Sequence, residues 1–204
     1  TLILAPGARH RKLGEEGEER LGGRGVSYCA VCDGALYKNQ VTAVVGGGDV
    51  AVEDAVFLSR LCRKVYLIHR RGELRAARSL QKQLEACANV EVLWNTVVEQ
   101  VNGAEVVESI RIRDLEKQES RDLPVQGLFV AVGISPNSEV FRNVVETENG
   151  YIQAGEDCAT SVPGIFAAGD VRTKALRQIV TAVADGANAV SSAERWLREQ
   201  DAAK

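Results

Sequence analysis

The sequence predicts an α/β fold built on a Rossmann-like parallel sheet, and three observations predict it. Val41-Thr42-Ala43-Val44-Val45 is a short apolar run of the kind that forms a strand buried on both faces. It passes directly into Gly46-Gly47-Gly48, after which Val52, Ala55, Val56, Ser59 and Cys62 recur close to helical spacing over 49–63. Val65-Tyr66-Leu67-Ile68 is then a second buried strand, so strand, glycine turn, helix and strand follow within about 30 residues, the size of one βαβ crossover.

The other elements follow in order. Leu2-Ile3-Leu4-Ala5 reads as a strand, and residues 8–23, rich in Gly, Glu and Arg, read as a solvated connection. A second helix is predicted from about Glu73 to Ala88, with Ala77, Leu80, Leu84 and Cys87 on one face. Val90-Glu91-Val92-Leu93-Trp94 reads as a third parallel strand. Over 96–101, 105–114 and 121–124 apolar and polar residues alternate, as in short antiparallel strands, with Asn102-Gly103 as a turn. Leu128 to Gly133 returns to a buried run, Gly164 to Asp170 is strand-like, and a long helix is predicted from about Arg177 to Glu199.

Composition narrows the function classes. The 204 residues are 45% hydrophobic and 26% charged, as in a globular protein, and no apolar run approaches the roughly 20 residues of a membrane-spanning helix. The net charge of −3 gives no sign of nucleic-acid binding. Five cysteines is an odd count, and only Cys29 and Cys32 have informative spacing, which argues for a reducing compartment rather than a secreted disulfide framework. The absence of Met, together with a strand at the first residues, reads as a fragment or processed product.

Gly46-x-Gly48-x-x-Ala51 after a strand and before a helix is the dinucleotide-binding context. Gly46 permits the tight turn, Gly48 lets backbone approach a pyrophosphate, and Ala51 is small enough for close helix–sheet packing. Free N–H groups at the start of the helix, around Asp49, suit phosphates. At the end of the next strand an NAD enzyme usually places an acidic residue. Here stand His69-Arg70-Arg71, followed by Arg75 and Arg78, which would bind a 2′-phosphate; NADPH is therefore expected over NADH.

Cys29-Ala30-Val31-Cys32 has the spacing of a redox-active pair. Half of a zinc site is the competing reading, but only two histidines and no second such pair are present, so no metal is expected. Asp33 can serve as acid or base for the sulfurs, or can act only as a cap. Cys62, Cys87 and Cys158 read as structural thiols.

Taken together, these residues resemble the low-molecular-weight, bacterial-type thioredoxin reductases over nearly the whole chain. Cys29-Ala30-Val31-Cys32-Asp33-Gly34 is similar to that family's redox motif, which typically has Thr at the place of Val31. Gly46 to Glu53 resembles its NADPH loop, and His69-Arg70-Arg71 with Arg75 its 2′-phosphate cluster. Gly164 to Asp170 resembles its second FAD segment, in which the Asp bonds the ribityl chain, and Arg177-Gln178-Ile179 the stretch that lies against the isoalloxazine.

The resemblance implies an NADPH-binding domain over 24–126, carrying the cysteine pair, inserted into a partial FAD-binding domain formed by 1–23 and 127–204. It implies that NADPH reduces FAD, that FAD reduces the Cys29–Cys32 disulfide, and that the dithiol reduces thioredoxin or a thioredoxin-like protein. Catalytic roles then fall to Cys29, Cys32 and Asp33. Cofactor contacts fall to Gly46, Gly48, Asp49, Ala51, His69, Arg70, Arg71 and Arg75, and further along to Gly133, Gly169, Asp170, Arg177, Gln178 and Ile179. A cytoplasmic homodimer without nucleic-acid or membrane partners is expected. The family's amino-terminal glycine-rich FAD loop has no counterpart here, so the chain is expected to hold NADPH far better than FAD. Two alternatives share the motifs: the flavoprotein reductase subunit of a peroxidase system, and a non-catalytic NADPH-binding module.

Overall fold

The computed structural model describes residues 1–203 and divides into two compact units, Arg11–Gly133 and Thr1–His10 with Ile134–Lys204. In chain order the elements are β1 (Leu2–Leu4), β2 (Ala8–His10), β3 (Val26–Ser27), α1 (Ala30–Asp33), β4 (Val41–Val45), α2 (Asp49–Ser59), β5 (Lys64–Ile68), α3 (Arg78–Glu85) and β6 (Val90–Leu93). There follow β7 (Thr96–Asn102), β8 (Ser109–Asp114), β9 (Glu119–Pro124), β10 (Gly127–Val130), β11 (Ile134–Pro136), β12 (Thr147–Glu148), β13 (Tyr151–Ile152), β14 (Ile165–Ala167) and α4 (Ile179–Ala202).

The larger unit is built on a five-stranded sheet in the order β3-β10-β4-β5-β6, parallel throughout. Its inner strands β10 and β4 are buried on both faces, which explains their continuous apolar runs. Alternation splits them between two cores. Val44 and Phe129 point to the side of α2 and α3, with Ala51, Val52, Ala55 and Leu58. Ala43, Val45, Leu128 and Val130 point to the antiparallel sheet β7-β8-β9, against Val98, Ile110, Ile112 and Leu123. From β4 the chain winds outward through β5 to β6, then returns on the other side of β4 as β10. The carboxyl end of β4 is therefore a topological switch point, the place where open α/β sheets bind ligands.

Several expectations need correction. Residues 8–23 are not merely a solvated connection. Ala8–His10 pairs antiparallel with β11, and Leu21 and Glu18 are fully buried. Leu21 joins the core with Val26 and Val101. Glu18 tolerates burial because its carboxylate accepts from Leu13 N, Gly14 N and the Tyr28 hydroxyl at 2.8–3.0 Å. The helix expected from about 73 begins only at Arg78, and Ala77 is its exposed cap while Ala76 is buried in its place. The N–H groups of Arg75 and Ala77 are taken by the glycine turn, on Gly47 O (2.7 Å) and Asp49 Oδ1 (2.8 Å), so that stretch is a clamped loop. The expected strand over 105–114 is formed only from Ser109. The two compact units divide at 10/11 and 133/134, with Leu21 packed in the larger core and β10 an inner strand of its sheet.

The smaller unit pairs β1 with β14 in parallel and β12 with β13 antiparallel. Its core gathers Leu4, Ile152, Ala167 and Val171, with a second cluster of Phe166, Ala168, Ala189 and Ala193 under α4. The long carboxyl-terminal helix forms as expected, with Gln178 as its cap in a reciprocal arrangement with Thr181.

Candidate functional site

β3 ends at Ser27, and two residues later the chain enters the cysteine turn. Cys29 caps α1, and Cys29 and Cys32 form a disulfide with Cα atoms 5.3 Å apart. The N–H of Cys32 donates to Cys29 Sγ at 3.2 Å. Cys29 is half-buried and Cys32 exposed. Asp33 follows, its N–H on Cys29 O (3.1 Å) and its Oδ2 receiving the Ser27 hydroxyl at 2.6 Å. Gly34 packs closely on α2, where a Cβ would lie 3.0 Å from both Leu58 and Phe57 and would push their side chains aside. Among the described residues no group of His, Cys, Asp and Glu side chains could hold a metal ion.

The glycine turn lies at the carboxyl end of β4, on the same sheet edge as the cysteine turn. With β10 between β3 and β4, the two strands are two spacings apart, roughly 10 Å. Gly46 has φ +155°, and a Cβ on it would fall 2.4 Å from Ala131 O and 2.6 Å from the Ala51 methyl. Close helix–sheet packing thus depends on Gly46 and Ala51 together. Around Gly48, by contrast, the space where a Cβ would stand is open. That open cradle in front of the first N–H groups of an 11-residue helix fits a phosphate-bearing dinucleotide. Asp49 engages the loop through Ala77 N rather than pointing its carboxylate into that space alone.

The basic cluster divides in two. Arg70, Arg71 and Arg75 are exposed and make no ion pair among the described residues. His69 is buried, 5% exposed, with its ring against Gly47: a Cβ there would meet ring atoms at 2.2–2.6 Å. Burial holds the imidazole below its ordinary pKa; a hydrogen bond to the Glu73 backbone opposes this, while Arg75, Arg71 and Arg70 lower it further. His69 Nε2 is buried without a partner. The histidine therefore props the turn, and the three arginines around it form an unneutralised positive cluster that suits a phosphate.

The smaller unit presents the other expected residues. Gly169 has φ +79°, and its N–H donates to Asp185 Oδ2 at 2.8 Å. The Asp170 Oδ1 atom is buried without a partner, as fits a carboxylate awaiting a ligand hydroxyl. Arg177 lies over the Tyr151 ring at 3.9 Å and reaches the Asp170 and Arg172 carbonyls. The Gln178 side chain is used in capping α4, and Ile179 is 85% exposed. Gly133, at φ +112°, belongs to the larger unit, where its carbonyl accepts Arg11 N at 2.9 Å. Cys62 and Cys158 are buried, and burial pushes both thiols up, as fits inert structural positions.

Sequence reasoning missed Ser27 and Asp185, which hold Asp33 and Gly169, and Glu18, which holds Tyr28 beside the cysteine turn. A hydroxyl two residues before Cys29 was a readable turn signal for Ser27. Nothing local marks Asp185, whose partners lie 11–16 residues upstream.

A switch-point glycine turn and a cysteine pair on one edge of a parallel sheet define a dinucleotide-binding fold that carries a redox-type disulfide. The chain belongs to the pyridine nucleotide-disulphide oxidoreductase family, whose profile matches residues 1–186. It is 47% identical over 201 residues to a thioredoxin reductase of Listeria innocua, covering 98% of this chain and 63% of the relative. The thioredoxin reductase of Bacillus subtilis is 45% identical over 203 residues, with 98% and 64% covered. Among solved structures, a thioredoxin reductase from Streptococcus pyogenes superposes with a TM-score of 0.93 at 42% identity, over 98% of this chain and 66% of that one. The chain thus spans a little under two thirds of the length of these relatives.

Proposed function

We propose that the chain carries the NADPH-binding and dithiol parts of a flavoprotein disulfide reductase that reduces thioredoxin or a thioredoxin-like protein. The observation that carries this reading is the disulfide and the glycine turn on one edge of one sheet. The names of its relatives support it. Gly46, Gly48, Ala51 and the α2 N-terminus would hold the pyrophosphate of NADPH, with Asp49 fixing the loop beside them. Arg70, Arg71 and Arg75 would hold its 2′-phosphate, and His69 would support the turn from beneath. Asp170, Gly169, Arg177, Gln178, Ile179 and Gly133 are the residues proposed to contact FAD. When bound, these cofactors would supply the two electrons that open the Cys29–Cys32 bond.

The chain's own contribution to exchange lies in the cysteine turn. The Cys32 N–H aimed at Cys29 Sγ favours negative charge on that sulfur once the pair is reduced. One thiolate attacks the partner disulfide, forming a mixed disulfide and releasing one partner thiol. The other cysteine then attacks the mixed bond, restores Cys29–Cys32 and releases the second. Asp33 is proposed as the acid–base group for these sulfurs. The assembly is proposed to be a cytoplasmic homodimer, with neither membrane nor nucleic acid as partner.

NADPH-to-thioredoxin turnover, coupled to a chromogenic disulfide and run with and without added FAD, tests the proposal. Turnover that Cys32→Ser abolishes supports the reductase. Tight NADPH binding with no turnover under either condition supports a nucleotide-binding module instead.

A further inference from the structure

We propose that Ser27 is a positioning residue for thiol–disulfide exchange: its buried hydroxyl holds the Asp33 carboxylate over the cysteine turn, so that Asp33 can relay a proton between the pair and a departing sulfur. Ser27 is 5% exposed, at the end of β3 and paired in register with Phe129 of β10. Its oxygen lies 2.6 Å from Asp33 Oδ2, 3.1 Å from Cys29 N and 3.4 Å from Cys29 O. A hydroxyl has one proton and two lone pairs. The short approach to a carboxylate takes the proton, and the Cys29 N–H fills a lone pair, so the chain of bonds runs in one direction: Cys29 N–H to Ser27, Ser27 O–H to Asp33. Asp33 is anchored a second time by its own N–H on Cys29 O. Asp33 is thereby linked to the residue that caps the turn twice, by its backbone N–H directly and by its carboxylate through Ser27.

The inference rests on the reading of the pair as an exchanging dithiol. In that reaction the attacking thiolate forms an S–S bond to the partner and breaks the partner's own S–S bond. The second cysteine gives its proton to Asp33, and its sulfur closes the Cys29–Cys32 bond with loss of the partner thiolate, which takes the proton from Asp33. The pair is oxidised by two electrons and the partner disulfide is reduced by two. The proton of the second cysteine ends on the second partner sulfur through Asp33, and the first partner thiolate takes from water the proton that the attacking thiol gave up on ionising. Without Ser27 the carboxylate loses its buried donor and can rotate away, whereas both cysteines and Asp33 remain.

The test uses the full chain, reduced with dithiothreitol and freed of it, reacting with 2-hydroxyethyl disulfide. It needs no nucleotide, flavin or thioredoxin, so its failure is separable from failure of the coupled assay. A chain carrying both Cys29→Ser and Cys32→Ser sets the background from Cys62, Cys87 and Cys158. At about pH 7, Ser27→Ala is expected to slow exchange about tenfold, Asp33→Asn at least as much, and the double variant no more than Asp33→Asn. At about pH 9.5, where free thiols ionise unaided, the Ser27→Ala loss is expected to fall below about twofold. A loss under twofold at pH 7, an equal loss at both pH values, or losses that multiply in the double variant would each overturn the proposal. If Ser27→Ala does not fold, the near-isosteric pair Ser27→Thr and Ser27→Val carries the same comparison, with the hydroxyl-bearing variant expected to be about tenfold faster at pH 7.

Discussion

In the unit spanning Arg11–Gly133, the site residues rest on close packing and neutral donors. Ala51 sits on Gly46, His69 on Gly47, Leu58 on Gly34, and a serine hydroxyl holds Asp33. In the other unit the corresponding work falls to charge. Asp185, buried on α4, accepts Gly169 N, Arg172 Nε (2.8 Å) and Nη2 (2.6 Å), and Lys174 Nζ (2.7 Å). Arg172 and Lys174 are themselves buried, at 3% and 6% side-chain exposure. The contrast follows from what each unit has to bury. A five-stranded sheet covered on both faces supplies an apolar core for a turn to lean on. The 24-residue α4 buries little besides Asp185, Ala189 and Ala193, and leaves Val180, Val183 and Val190 exposed. The turn carrying Asp170 is therefore held by a buried ion cluster, which is unforgiving when one member is lost.

The sharpest way to break the comparison is Asp185→Ala. It strands Arg172 and Lys174 without their carboxylate, and we expect a loss of about 3–5 kcal/mol, with hydrogen-exchange protection collapsing over β14 and α4 and retained in β4 and β5. The same carboxylate sets an acid limit. Burial alone would raise its pKa, but the Arg172, Lys174 and Gly169 donors overcome this and hold it at about 2. The folded state thus binds the proton more weakly than the unfolded state. The stabilisation, on the order of 2 kcal/mol, is complete above pH 4 and lost as pH falls toward 2, which acid titration of the unfolding midpoint reads.

A smaller effect is expected in the other unit. Gly46→Ala forces a Cβ into Ala131 O and Ala51 at a positive φ, at a cost of about 3 kcal/mol by urea unfolding, and weakens NADPH binding in a fluorescence titration. The smallest effect has the opposite sign. Asp54, on α2, is raised to about 6 by burial and then by the neighbouring Glu53. Its folded state holds the proton more tightly, so the charge opposes folding above pH 6 and not below pH 4. Asp54→Asn is expected to stabilise the chain by about 1–2 kcal/mol at pH 7 and to do little at pH 4. Equal gains at both pH values would show that burial of charge is not the cause.

Legibility in the sequence tracks the range of the interactions involved. The βαβ unit was readable because strand, glycine turn and helix are each set by neighbours within a few residues. The start of α3 was not, since the donors that delay it are captured by Gly47 and Asp49, 28 residues away in the case of Ala77. His69 read as part of a basic surface cluster, but its ring is buried against a glycine 22 positions earlier. The arginines Arg70, Arg71, Arg75 and Arg78 remain on the surface.

By itself the sequence determined the sheet, the switch-point turn, the cysteine pair and the cluster of arginines, because periodicity, glycine and spacing act locally on the chain. The tertiary structure alone decided which polar residues lie inside and what they hold: Glu18 under the Tyr28 hydroxyl, Ser27 on Asp33, Asp185 among its cations. A buried polar group is stable only beside its partner, and that partner is brought near by folding rather than by order along the chain.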